Sequence, residues 1–393
     1  MKKESLSELN LRLQSLAIFR ELLKDPVISA LSRYLASPEV SAYADFVAAL
    51  YDTEKRTLAG YVQSIANNDE NVFIRMIGRG AQPWPEMEEN LRAELDVLQA
   101  VADLTPETLR EGLAWDGYLP GFAVKTVAIA ESYWERCRNI GCCGYGLYAK
   151  YHMFYLNADS RIVPVRYPDQ IRLSSLVDYE REKKVILDNT LALLEGKPAA
   201  NVLLTGDAGT GKSSTVKAIV NALYGRGLRI LEVRKEQLHQ LPEVLDTLNG
   251  NPLKFILFID DLSFEKDDDN FSALKAILEG SVSAKASNIV IYATSNRRHL
   301  IKESFSERDG DDVHRNDTMQ QLISLSERFG LHVTFQKPDK KTYLDIVRHL
   351  ARERGVERSN EELEVLAERY ALGRGGRSAR AATQFVDSLL AEE

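Results

Sequence analysis

The residues Gly206, Asp207, Ala208, Gly209, Thr210, Gly211, Lys212 and Ser213 follow the spacing G-x-x-x-x-G-K-[ST]. They come after an apolar run and open a helical stretch with Ser214, the setting in which this spacing builds a phosphate loop. Glycines in these places let the backbone curl so that successive N–H groups point inward, and the helix N-terminus adds partial positive charge. An anion must fill such a cup. Residues 206 to 214 are therefore the candidate nucleotide contacts, with Lys212 placed for the β- and γ-phosphates and the Ser213 hydroxyl for Mg²⁺. The metal also needs a carboxylate. The segment FILFIDD supplies one, with apolar residues of a buried strand running into Asp260 and Asp261. Asp260 is the candidate Mg²⁺ ligand, Asp261 the candidate that orients or activates the attacking water, and Glu265 is held in reserve for that role. A glutamate is usual at the position of Asp261, so the shorter side chain implies altered geometry or slow hydrolysis. ATP and Mg²⁺ are the expected cofactors.

Strands and helices must position these groups. Short apolar runs at Asn201 to Thr205, Leu228 to Val233, Phe255 to Ile259, Ile289 to Thr294 and Leu331 to Phe335 alternate with helical stretches. That alternation predicts an α/β core with a five-stranded parallel sheet over 171–338. Ahead of the first of these strands, LSSLVDYEREKKVILDNTLALLEG reads as a helix stopped by Gly196 and Pro198. From 339 to 393 only helical patterns remain, and they predict a small C-terminal lid. Residues 1–150 read as a mainly helical domain, with amphipathic spacing from Ser5 to Lys24, Val40 to Ile65, Met87 to Val101 and Ala123 to Arg138. Between them, residues 151–170 predict a β-hairpin connector that turns at Asn157-Ala158-Asp159-Ser160.

Composition narrows the class. With 393 residues, several domains are expected, and 44% apolar with 27% charged residues is ordinary for a soluble globular chain. A net charge of −8 gives no global footprint for nucleic acid or an anionic membrane. Cys137, Cys142 and Cys143 are odd in number and crowded, which fits a reducing, cytoplasmic setting better than a disulfide framework, and their spacing fits no common zinc pattern. We expect neither a signal peptide nor a membrane span.

The phosphate loop and FIDD, followed by IVIYATSN and SLSERFG, resemble an AAA+ ATPase of the initiator and clamp-loader sort. SLVDYEREKK, NVLLTGDAGTGKSST, FIDDLSFE, YATSNRRHL, SLSERFG and GGRSAR resemble in particular the bacterial domain-of-unknown-function family numbered 815, from about residue 150 to the end. The resemblance implies that Asn296 senses the γ-phosphate and that Arg328 is an arginine finger reaching into a neighbour's site, which implies a homo-oligomer. It also implies a lid arginine that reaches back to the nucleotide; Arg380 fits that pattern better than Arg377. Val177 and Tyr179, beside Leu176, match the segment expected near the adenine, although Asp178 stands where a glycine is usual. The function implied is ATP hydrolysis coupled to remodelling of an unknown protein partner. A slow-hydrolysing, ATP-gated loader or adaptor is the alternative. Nucleic acid stays open as a partner that the net charge does not indicate.

Overall fold

The structure, a computed structural model, describes residues 5–263, 269–279, 287–296 and 325–391. The chain divides into two compact units, 1–150 and 151–393.

The first unit is helical: α1 (Leu6–Gln14), α2 (Pro26–Ala36), α3 (Val40–Tyr51), α4 (Leu58–Asn68), α5 (Val72–Gly78), α6 (Pro85–Ala102), α7 (Pro106–Arg110), α8 (Ile129–Arg138), α9 (Ile140–Cys143) and α10 (Leu147–Lys150). Their apolar faces meet in one core that includes Phe19, Tyr34, Tyr43, Phe46, Phe73, Leu91, Leu98 and Tyr133. The apolar spacing from Ser5 to Lys24 does not make one helix. α1 stops at Gln14, and the chain then turns so that the N–H groups of Ala17, Ile18 and Phe19 all donate to Glu94 at 2.8–3.0 Å. That carboxylate, 8% exposed on α6, is satisfied by three backbone donors that a continued helix would have used internally. Ala123 to Val127 likewise are not helical; α8 begins only at Ile129, whose N–H donates to Gln99 Oε1 at 2.9 Å.

The second unit carries a seven-stranded sheet in the order β2-β1-β4-β5-β6-β3-β7. The strands are β1 (Met153–Leu156), β2 (Ile162–Pro164), β3 (Val202–Gly206), β4 (Leu228–Glu232), β5 (Lys254–Ile259), β6 (Ile289–Ser295) and β7 (Leu331–Phe335). All neighbours pair in parallel except β1 with β2. The five expected strands form one contiguous block, β4-β5-β6-β3-β7, with the glycine-rich loop following β3 beside the edge strand β7. The count of five is nonetheless too low. The hairpin over 151–170 is part of the sheet, because β1 pairs in parallel with β4 from Met153↔Ile230 to Tyr155↔Glu232 and buries Met153, Phe154 and Leu156.

Helices α11 (Glu180–Leu194), α12 (Lys212–Leu223), α13 (Leu241–Leu248) and α14 (Asp269–Glu279) flank the sheet. α11 is fastened to it by polar bonds: Asn189 donates to Ala200 O and accepts from its N–H, both at 2.9 Å, and the Tyr292 hydroxyl of β6 meets Thr190 Oγ1 at 2.8 Å. The lid is α15 (Lys340–Glu353), α16 (Asn360–Gly373) and α17 (Ala379–Leu390), closed around Tyr343, Val347, Ala367, Phe385 and Val386. Ser359 and Glu362 form a capping box at the start of α16. No helix among the described residues is long and apolar enough to cross a membrane.

In the first unit, burial raises the Asp69 carboxyl to about 6, and Asn71 donates to it at 3.0 Å. A carboxyl whose pKa is higher folded than unfolded adds stability at pH values below the unfolded pKa and loses it as pH rises through the folded one. Asp69→Asn keeps an acceptor for Asn71 and removes the charge. We expect it to stabilise the 1–150 unit by about 2 kcal/mol at pH 8 and to change little near pH 4. Thermal melts at the two pH values check this; equal shifts at both would contradict it.

Candidate functional site

Three strands deliver the site to one edge of the sheet. In parallel register Ile259 lies beside Ala293 and Thr205 beside Ser295, so the chain leaves β5 at Asp260, β6 at Asn296 and β3 at the phosphate loop side by side. In open parallel sheets the crevice beyond the carboxyl ends of the strands is where ligands bind.

The loop has the curl that its glycines allow. Gly206 sits at φ 138, and a Cβ there would meet the Phe335 carbonyl oxygen at 2.0 Å, so no side chain fits. Gly209 has φ 78 and lies against the lid, where a Cβ would meet the Arg380 Cβ at 3.0 Å. Lys212 opens α12 and is 5% exposed. Its ammonium donates to Gly206 O and Asp207 O, both at 2.8 Å, and to Asn296 Oδ1 at 3.0 Å. Burial lowers its pKa, opposed by the carboxylates of Asp260, Asp207 and Asp261 and reinforced by the positive charge of Arg380.

Around Lys212 the predicted acidic and polar residues converge. The Ser213 hydroxyl donates to Asp260 Oδ1 at 2.6 Å, and Asn296 Nδ2 donates to Asp261 Oδ1 at 2.7 Å. One amide thus joins the buried ammonium on its oxygen side and Asp261 on its nitrogen side. Ser213 and Asp260 offer a hydroxyl and a carboxylate close together at the loop, the hard oxygen donors that suit Mg²⁺. Glu265 lies outside the described residues.

Thr294 was not legible as a functional residue. It is 2% exposed near the end of β6, where its hydroxyl donates to Asp260 Oδ1 at 2.5 Å and accepts from the Asp261 N–H at 2.9 Å. Its carbonyl takes the Leu262 N–H at 2.7 Å. These bonds turn the chain sharply after β5 and hold Asp261 at φ 55, in the left-handed region. A polar residue inside the apolar run IVIYAT was the available signal.

The lid side holds the remaining candidates. Arg380 is exposed, its N–H donates to Gly209 O at 3.2 Å, and its charge acts on Lys212. Arg377 instead makes a two-pronged pair with Glu368 at 2.7 and 2.8 Å, which directs it away from the loop. Val177 packs on the lid core. The Tyr179 ring lies 5.1 Å from that of Phe335, and its hydroxyl donates to Gln336 O at 2.5 Å. Burial, with Asp178, Glu182 and Asp207 nearby, raises the Tyr179 phenol to about 12. Asp178 and Tyr179 both take left-handed φ, 69 and 63, so Asp178 adopts a conformation that glycine favours.

Arg328 is not brought to this cluster. It is half-buried in the turn before β7, while Gly206 pairs with Phe335 at the far end of that strand. With four residue steps along β7 between Leu331 and Phe335, the two edges are about 13 Å apart at ~3.3 Å per residue.

The model of the family described as "Protein of unknown function (DUF815)" matches residues 149–393. Among solved structures, the chain is similar to the Thermotoga maritima RuvB Holliday junction branch migration motor, at 19% identity over 55% of this chain and 63% of that one, with a TM-score of 0.37. A mutant of the same RuvB aligns at 19% identity over 55% of this chain and 64% of its own, with a TM-score of 0.39. The alignment thus spans less than two thirds of those chains. No curated protein matches the chain.

Thr294→Val removes a donor to Asp260 and an acceptor for the Asp261 N–H at a buried position. We expect a loss of about 1–3 kcal/mol, with Thr294→Ser costing much less. Chemical unfolding of both variants measures this; equal losses would show that the hydroxyl carries neither bond.

Proposed function

The chain belongs to the family described as protein of unknown function (DUF815), and from the site it builds we propose that it is an oligomeric ATPase. In this reading it hydrolyses ATP with Mg²⁺ and couples nucleotide state to the conformation of a protein partner. The observation that carries the reading is the cluster in which Lys212, Asn296 and Asp261 join in one chain of hydrogen bonds beside Ser213 and Asp260.

Each residue has a task there. Backbone N–H groups of 207–213 and the start of α12 would receive the phosphates. Lys212 would exchange carbonyl and amide oxygens for phosphate oxygens, which a buried, pre-placed ammonium does with little reorganisation. Ser213 and Asp260 would hold Mg²⁺, which would supply positive charge to offset that of the phosphates. With Asn296 Oδ1 no longer engaged by Lys212, its amide could position both Asp261 and the attacking water. Asp261 would accept that water's proton. Thr294 positions Asp260 and Asp261 without touching the substrate. Val177 and Tyr179 would flank the adenine, and Arg380 would report on the nucleotide from the lid. Because Arg328 leaves its own sheet at the opposite edge from the phosphate loop, its reading as a finger requires a neighbouring subunit.

The slow-switch alternative keeps one observation in its favour: the Asp261 carboxylate is short, set on a left-handed residue and already bonded by Asn296. Such a protein would act by differential partner affinity in ATP and ADP rather than by turnover.

ATP turnover across protein concentration separates these readings. Wild type should release phosphate at a rate per subunit that rises with assembly and stops on chelating Mg²⁺. Lys212→Ala should lose turnover and nucleotide binding together. Arg328→Ala should bind ATP like wild type yet fall about 10³-fold in rate. Tight ATP binding without phosphate release at any concentration would leave the switch.

A further inference from the structure

The helical unit 1–150 contains a cleft of about 480 Å³ that nucleotide chemistry does not use. One wall is the turn after α3. There Thr53 Oγ1 donates to Leu50 O at 2.7 Å and accepts the Lys55 N–H at 3.2 Å, which fixes the backbone and leaves Lys55 and Arg56 exposed. Gly121 to Ala123 also line the cleft, at the end of a segment, 119–123, without a helix or strand that is nevertheless held at every residue. Arg110 donates to Leu119 O at 2.7 Å, the Tyr43 hydroxyl to Pro120 O at 2.8 Å, and the Tyr51 hydroxyl to Gly121 O. Phe122 meets Phe46 edge-on at 5.8 Å, and Ala123 forms an isolated bridge with Thr57. Irregular backbone fastened in this way has already lost its freedom, so a ligand lying along it need not offset that ordering.

The lining has a chemical preference. Lys55, Arg56 and Arg110 face it against Glu107 alone, in a chain whose net charge is −8. Tyr51 and Phe122 supply aromatic surface, and the loop leading into 119–123 exposes Trp115 at 53% and Tyr118 at 87%. Trp, Tyr and Arg are the types that dominate interface hot spots.

We propose that this cleft docks an acidic segment of a partner protein, one that places carboxylates on Lys55 and Arg56 and an apolar side chain against Tyr51 and Phe122. A peptide suits the site better than nucleic acid, because a duplex needs cations spread along a broad surface and here they converge in one small cleft on an acidic chain. The cleft is the partner surface of the remodelling ATPase proposed above and rests on that reading for its purpose, while the binding itself needs no nucleotide.

The test is fluorescence anisotropy on the full chain with three probes: a labelled peptide of alternating glutamate and phenylalanine, its lysine-for-glutamate counterpart, and a labelled single-stranded DNA. Only the acidic peptide should bind, and its affinity should fall as salt rises from about 50 to about 500 mM. It should drop about tenfold or more in the double variant Lys55→Glu/Arg56→Glu, whose altered side chains are exposed and whose melting temperature should match wild type. Equal binding of both peptides, or acidic-peptide binding untouched by the double variant, would overturn the proposal. DNA binding lost in the same variant would also overturn it by assigning the cleft to a phosphate backbone. ATP turnover of the double variant without partner is unaffected either way, so failure here leaves the ATPase reading standing, and absent turnover in wild type leaves the peptide result readable.

Discussion

The parallel register of β5, β6 and β3 governs nearly everything else in the second unit. Because Ile259 lies beside Ala293 and Thr205 beside Ser295, the chain leaves three neighbouring strands at one edge. A carboxylate, an amide and a glycine-rich loop are thereby set within hydrogen-bond reach of one another. None of these groups is near another in sequence. A slip of one residue in β6 would turn Thr294 and Asn296 to the other face of the sheet and break the links to Asp260, Asp261 and Lys212 together. The apolar, almost fully buried strands on both sides of β6 oppose such a slip, so the core that holds the register also holds the site.

The site residues differ in how readable they are. The glycine-rich loop and Asp260 could be picked out as candidates because each combines a chemical need with a local pattern: glycines at fixed spacing, and acids at the end of an apolar strand. Thr294 could not, because its role comes from what lies across the sheet from it. The same holds for Glu94. Nothing at Ala17, Ile18 or Phe19 says that a carboxylate on a helix far along the chain will take their N–H groups, and without that knowledge the apolar spacing from Ser5 to Lys24 reads as one helix. The hairpin at 151–170 was recognised as a hairpin, but its place beside β4 depends on pairing at long range. Periodicity gives an element's type; which edge it joins is decided by the surfaces left open when the rest has packed.

The lid contributes in a complementary way. Arg377 and Arg380 are close in sequence and alike in charge, and only the packing separates them: Glu368 on α16 engages the first, while the N–H of the second meets the loop at Gly209. With Val177 set in the lid core, the segment before α11, the loop and the lid form one connected surface. A change in the loop would therefore be felt in the helices above it.

The left-handed conformation of Asp261 has a consequence for how this sequence could change over time. A glutamate there would keep the charge, but an extra methylene on a left-handed residue gives up the ease with which short Asp and Asn side chains occupy that region, a difference of about 1 kcal/mol or more. It would also displace the carboxylate from Asn296. The exchange is a single-nucleotide step in principle and a multi-residue problem in practice, since the backbone bonds from Asp261 and Leu262 to Thr294 would have to loosen with it. Lineages carrying this turn are expected to retain aspartate or drift to asparagine, and to alter the rate of the chemistry through the residues around it.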